Sequence, residues 1–335
     1  MRRSTPVLAV LFSLLALLWG APASAQAPGE LPAVRVAVLK YGTANWELEL
    51  IRQLGLDTAR GFRLELLQRV SPNASLVALQ GGAADFTVSD WLWVAQQHAQ
   101  QREYRFYPYS SAVGELLVPP QSAIRGLADL EGAELGVAGG AEDKSWLLFQ
   151  AYAKGEGLDL GELAKPRYAA PPLLNGLAST GRLDAVLTYW HYAARLKATG
   201  FRPVLSLEQV LGRLGVQSTL PMLGWVFSAQ LAEEAPERVD AFLSASYEAK
   251  RLLLSDDESW ERVRPLMQAD SEAVFIELRN GYRAGVPGAF GEDEIEAIER
   301  VAAIVAAARA PSKAADSGPT LPASVFWLRR DLQAP

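Results

Sequence analysis

Residues 171–190 read PPLLNGLASTGRLDAVLTYW, and residues 72–91 read PNASLVALQGGAADFTVSDW. Aligned on Pro171 and Pro72, the two stretches bring Gly181 onto Gly82, Asp184 onto Asp85 and Trp190 onto Trp91. Each copy reads as a short apolar helix stopped by glycine, an aspartate at the mouth of a buried strand, and a tryptophan just past that strand's end. Ligands of open α/β sheets sit beyond the carboxyl ends of the strands. If each copy belongs to its own lobe, Trp91 and Trp190 face one another across a cleft. The competing reading is ordinary Gly/Asp turn chemistry used twice.

The chain has 335 residues, about what two lobes of 100 to 200 residues need. It opens with Arg2 and Arg3, an apolar run over 7–19 and the small residues Ala23, Ser24 and Ala25. This is the pattern of an export signal cleaved after Ala25, the run being too short for a membrane-spanning helix. The formal net charge is −6, and loss of Arg2 and Arg3 makes the mature chain more acidic by two, against a nucleic-acid surface. There is no cysteine and there are only two histidines, so lipid attachment at an N-terminal cysteine, disulfides, thiolate chemistry and cysteine-based metal sites are excluded, and a zinc site is not expected. No cofactor or metal is expected. An exported chain with neither a lipid anchor nor a membrane span points to the periplasm.

Outward from the repeat, Ala33–Leu39 alternates as a first strand and is followed by a helix with Leu48, Ile51 and Leu54 on one side. Thr43 or Asn45 is its expected N-cap, with Glu47 and Glu49 suited to the positive helix start. Strands are expected over 62–70, 85–88, 105–109, 134–138 and 203–207. The apolar runs 113–118 and 222–228 read as two crossings between lobes. Glycines 139 and 140 between a strand and a helix start can present free N–H groups to a ligand. Helices over 237–255, 257–267, 271–281 and 292–310 should pack back on the first lobe. A polar linker follows over 312–322, and 325–328 tucks against the body.

A first lobe entered twice, a second lobe inserted between two crossings, an export signal and the phrase Leu127-Ala128-Asp129-Leu130-Glu131-Gly132 before a Gly-Val strand together resemble the periplasmic solute-binding proteins of ABC transporters. More narrowly the chain resembles their nitrate/sulfonate/taurine and thiamine-pyrimidine-precursor branch. The resemblance implies a two-lobed α/β fold of the type II binding class, with hinge crossings, residues 33–115 and 225–335 forming lobe 1 and residues 116–224 lobe 2. It also implies a monomeric receptor, not an enzyme, that closes on a small molecule and docks on a permease. Two departures affect the ligand: Glu142-Asp143-Lys144-Ser145 stands where sulfonate and nitrate receptors place small hydroxyl residues, and Trp190-His191-Tyr192 where relatives have Trp-Glu-Pro. The enzymes of pyrimidine synthesis in this branch rely on Cys and several His, which this chain lacks.

Trp46, Trp91 and Trp190 follow strand ends and could sandwich a ring or alkyl group. Trp93, Trp146 and Trp225 read as structural. Asn45, Asn73, Ser75, Ser89, Ser110 and Ser111 can hydrogen-bond a ligand, although Asn and Ser before helices also serve as caps. Gly140 and Ala141 offer backbone N–H groups. Asp90 and Asp143 lie near the aromatic residues, and two carboxylates there favour a neutral or nitrogen-bearing cyclic ligand over a sulfonate. Asp85 and Asp184 read as turn formers. A periplasmic sensor or accessory protein using the same fold is the alternative function.

Overall fold

The computed structural model describes residues 31–216, 220–309 and 321–328. The expected export signal and nearly all of the 312–322 linker lie outside the described residues. The described strands form two five-stranded sheets of matching topology. The first contains β1 (Ala33–Leu39), β2 (Arg63–Arg69), β3 (Phe86–Ser89), β4 (Tyr104–Ser110) and β10 (Leu223–Ser228) in the order β2-β1-β3-β10-β4. The second contains β5 (Glu115–Val118), β6 (Glu134–Ala138), β7 (Lys165–Ala169), β8 (Ala185–Thr188) and β9 (Arg202–Ser206) in the order β7-β6-β8-β5-β9. Val36, Ala37 and Val38 are all buried, as a parallel strand covered on both faces requires.

Between these strands lie α1 (Ala44–Gln53), α2 (Pro72–Gln80) and α3 (Trp91–Ala99) on the first sheet. On the second lie α4 (Lys144–Gly155), the single turn α5 (Leu160–Leu163), α6 (Pro171–Ser179), α7 (Trp190–Ala198) and α8 (Leu207–Arg213). The chain then continues through α9 (Ala229–Glu234), α10 (Pro236–Ser255), α11 (Asp257–Met267), α12 (Glu272–Ala284) and α13 (Glu292–Arg309).

The repeat is structural. Asp85 donates its N–H to the Arg35 carbonyl at 2.8 Å and accepts the Arg35 N–H at 2.7 Å. Asp184 does the same with Glu134, at 2.9 and 2.8 Å. Gly82 and Gly181 share φ of +70°, a left-handed turn that favours glycine. One clamp therefore seats β3 on β1 and β8 on β6.

The crossings differ from expectation. Both apolar runs lie inside a sheet as antiparallel strands, β5 between β8 and β9 and β10 between β3 and β4. A strand paired on both sides satisfies its backbone groups, which a strand stretched between lobes cannot do. The chain passes between the sheets in the short stretches before these strands. At Gly114 a Cβ would stand 2.3 Å from the Thr188 carbonyl oxygen, so the first passage needs glycine.

The C-terminal helices also depart from expectation. The helices α10 and α11 pack on α1 of the first lobe, but α12 packs on α7 and α13 on α4, both beside the second sheet. Ile298, Val301 and Val305 of α13 share a core with Trp146 and Leu148 of α4 and with Trp91 and Phe106 of the first-sheet side. Helix α4 has an apolar stripe that its own sheet does not cover, and α13 buries it. The tail returns as expected: Phe326 is buried against Phe106 and the Trp327 N–H bonds the Phe106 carbonyl at 2.9 Å, covering the exposed edge of β4.

Candidate functional site

The carboxyl edges of the two sheets face each other. Lys144, the first residue of α4, places its ammonium 3.3 Å from Asp90, 3.2 Å from the Met222 carbonyl and 5.2 Å from the centre of the Trp91 ring. Trp190, the first residue of α7, meets Trp46 of α1 edge to face at 6.1 Å. Tryptophans therefore do meet across the interface, but the pair is Trp46 with Trp190, and the rings touch.

This corrects the expected indole walls. Trp91 is fully buried and donates its Nε1–H to the Pro221 carbonyl at 3.2 Å, packed beneath the return passage. Trp46 is 4% exposed and wedged between Trp190, Trp260 and Tyr282. Side chains this large, placed at a helix start, gain more from core burial than from a water-lined wall. Only Trp190 stays half-buried.

The polar residues divide into those engaged and those without partners. Asn45 does not cap α1; its Nδ2 donates to the carbonyls of Leu39 at 2.6 Å and Gly42 at 2.8 Å, stitching the β1–α1 turn. Asp90 caps α3 by accepting the Trp93 N–H at 2.8 Å while pairing with Lys144. Asp143 caps α4 through the Ser145 N–H at 2.9 Å, and its other oxygen accepts the Tyr189 hydroxyl at 3.0 Å. Burial pushes the Asp143 carboxyl up, opposed by Tyr189, the helix N–H groups and Lys144. Burial, and then Asp143, pushes the Tyr189 phenol up in turn. Ser89 ends β3 half-buried, Gly140 is half-buried, and Asn73 and Ala141 are exposed.

Of the buried polar atoms that have no partner among the described residues, four are Asn45 Oδ1, Ser75 Oγ, Ser111 Oγ and Thr188 Oγ1. Asn45 and Ser75 lie near the starts of α1 and α2, Ser111 just past β4, and Thr188 at the end of β8. All four belong to the facing carboxyl edges, and both sheets contribute. A buried hydroxyl left unpaired costs roughly 1–3 kcal/mol; other partnerless buried atoms, among them Asn175 Oδ1, Arg202 Nε and Arg279 Nε, lie elsewhere in the described residues.

Beneath this edge lies a charge network that the sequence reading missed. Glu47 stands in the first turn of α1, as expected, but is fully buried there. It takes the Lys250 ammonium at 2.7 Å, the Tyr282 hydroxyl at 2.8 Å and the Ser246 hydroxyl, which accepts the Trp225 Nε1–H at 2.8 Å. The Lys250 ammonium also sits 4.1 Å above the Tyr109 ring. The available signal was Lys250 itself, a cation on the stripe that Phe242, Leu243, Ala249 and Leu253 give α10. His191, beside Trp190, is held to about 4 by burial and by Arg195, and is neutral at ordinary pH. Among the described residues no cluster of His, Cys, Asp and Glu could hold a metal, and no helix is long and apolar enough to cross a membrane.

No protein-family model matches the chain, and no curated protein matches it. Solved structures do. The alkanesulfonate-binding protein SsuA from Xanthomonas axonopodis pv. citri, bound to MOPS, is 20% identical with a TM-score of 0.66 over 89% of this chain and 99% of that one. The periplasmic aliphatic sulphonate-binding protein SsuA from Escherichia coli is 18% identical with a TM-score of 0.64, over 80% and 85% of the two chains. A mutant of DszB, in complex with biphenyl-2-sulfinic acid, is 16% identical with a TM-score of 0.56, over 83% and 92%. The two five-stranded sheets, their matching strand order and the two passages between them give this chain the two-lobed α/β fold of the periplasmic sulfonate-binding proteins.

Proposed function

We propose that this protein is the periplasmic solute-binding component of an ABC importer and that its solute is a small molecule bearing a sulfonate or a similar oxyanion. The observation that carries this reading is the three partnerless hydroxyls on the facing edges, Ser75, Ser111 and Thr188, while the fourth partnerless atom, Asn45 Oδ1, only accepts and would meet a donor elsewhere on the solute. Hydroxyls donate to oxyanions without adding charge, and the alkanesulfonate-binding protein of similar fold holds MOPS, itself a sulfonate. A nitrogen-bearing ligand rested on Asp90 and Asp143. Asp90 is engaged by Lys144 and a helix N–H, and Asp143 by Tyr189 and helix N–H groups, which leaves neither carboxylate uncommitted for a ligand amine.

Solute entry requires two bodies that part, and we take them to be residues 33–115 with 225–335 and residues 116–224. We take Ser89, Gly140, Ala141 and Asn73 as further solute-facing groups of the same edges. Export across the inner membrane, a monomeric state and docking on a permease complete the proposal. The DszB likeness raises a catalytic reading, but a chain without cysteine offers no thiolate nucleophile, and we assign it binding alone.

A thermal-shift panel of alkanesulfonates, nitrate, pyrimidines and amines tests the proposal. A bound sulfonate at a hundredfold excess over its Kd should stabilise the mature protein by about 2.7 kcal/mol. Stabilisation by pyrimidines or amines alone would overturn the solute class. Stabilisation by none of them would overturn the receptor reading for these solutes.

A further inference from the structure

Two helix seams join the lobes, α13 on α4 and α12 on α7, and the second is the one fastened to the chain passing between the sheets. Trp190, Ala194 and Ala198 recur at four-residue spacing on α7 and turn away from the second sheet into the core around Val34, Leu48 and Trp260. Trp190 lies on the backbone of α12: a Cβ on Gly281 would stand 2.9 Å from its Cε3 and 3.1 Å from its Cζ3. One turn further along, Arg195 donates to the Met267 and Gln268 carbonyls, both at 2.8 Å, and so closes the C-terminal end of α11. Lys197 pairs with Glu115 at 2.7 Å and reaches Glu277 of α12 at 3.9 Å.

The far end of α12 is fastened to the first passage between sheets. The Gly285 carbonyl accepts the Ser111 N–H at 2.8 Å, and a Cβ on Gly285 would stand 2.3 Å from the Ala112 Cβ. One helix thus holds both the inserted lobe and the chain that leads into it. By contrast, Lys144 reaches the first-lobe side through its ammonium alone, at Asp90 (3.3 Å), the Met222 carbonyl (3.2 Å) and the Trp91 ring (5.2 Å), and its pair with Asp90 joins side chains that are 14% and 30% exposed.

When one body turns against another, contacts near the axis persist and those far from it part. Close-packed seams resist sliding because interiors are packed like organic crystals. We propose that α12 is the pivot on which the second lobe turns, with Trp190 seated in the notch at Gly281 as its bearing, and that Lys144–Asp90 is the contact that parts on opening. Trp190 is then a positioning residue that sets where the lobes stand, whatever the solute.

Because the chain has no cysteine, a single label pair reports the lobe separation. Val77 of α2 and Leu173 of α6 are 65% and 58% exposed and lie on opposite lobes. V77C/L173C, spin-labelled and read by pulsed dipolar spectroscopy without solute, should give one narrow distance peak. W190A should broaden that peak and move it to longer distance. G281A should do the same, although alanine favours a helix over glycine, because its methyl displaces the indole. K144M should lengthen the distance while keeping one narrow peak. An unchanged distribution in both W190A and G281A would overturn the pivot, and if W190A fails to fold, G281A alone decides. The measurement needs no ligand, so a failure of the sulfonate panel leaves it intact, and a failed pivot leaves the panel intact.

Discussion

Replacing Lys250 with methionine tests the buried network under the site. Glu47 is wholly enclosed, and Lys250 supplies the charge opposite it at 2.7 Å. In K250M the carboxylate retains only the Tyr282 and Ser246 hydroxyls. Removing one member of a buried ion pair while leaving the other costs about 3–5 kcal/mol, whereas replacing both with apolar groups of similar size is close to neutral. At roughly 2 °C per kcal/mol for a chain of this size, K250M should melt about 6–10 °C lower. E47M/K250M should recover most of that loss, giving a coupling well above that of an exposed pair. Thermal melts of wild type, both single variants and the double variant, followed by tryptophan fluorescence, check both statements. A K250M loss below about 1 kcal/mol, or a double variant no better than K250M, would refute the reasoning.

Two further outcomes follow from the same contacts. D85A and D184A remove equivalent clamps, so each should lower the melting temperature, at about 1–3 kcal/mol for a lost hydrogen bond to a backbone N–H. D85A should cost more, because Asp85 also holds the Arg35 guanidinium at 2.7 Å and its side chain is only 9% exposed. The His191 imidazole is lowered from 6.5 to about 4. Between those values the unfolded chain binds a proton that the folded chain refuses, so stability is full above about pH 6.5 and falls as pH drops toward 4. Melts of wild type and H191N across this window should show a flatter acid limb in the variant; parallel limbs would remove His191 as a cause.

Much of the fold was legible because it is written twice. The Gly82/Gly181 and Asp85/Asp184 pairs act locally, through a positive φ and a backbone clamp, so sequence spacing carries them. Strand β7, KPRYA, was not legible: it is an edge strand carrying Lys165 and Arg167, with Pro166 tolerated at an edge where a central strand would exclude it. The crossings were misread because an apolar run looks the same whether it spans two lobes or lies at the centre of one sheet. The tryptophans failed for a related reason. A Trp beyond a strand end can line a cleft or fill a core, and what buried Trp91 was Pro221, 130 residues away. The Trp190 notch depends on Gly281, which no periodicity in α12 distinguishes from any other helical glycine.

The central claim is that the partnerless groups on the two facing edges are ligand-binding groups, and titration calorimetry of an alkanesulfonate into wild type and S111A/T188V tests it directly. Wild type should bind at one saturable site. The variant should bind about tenfold or more weakly, since hydrogen bonds to a charged group contribute roughly 1.5–3 kcal/mol each, yet melt no lower without ligand, because the deleted hydroxyls have no partner in the protein. Equal affinity in the two proteins, or a variant destabilised in the absence of ligand, would contradict it.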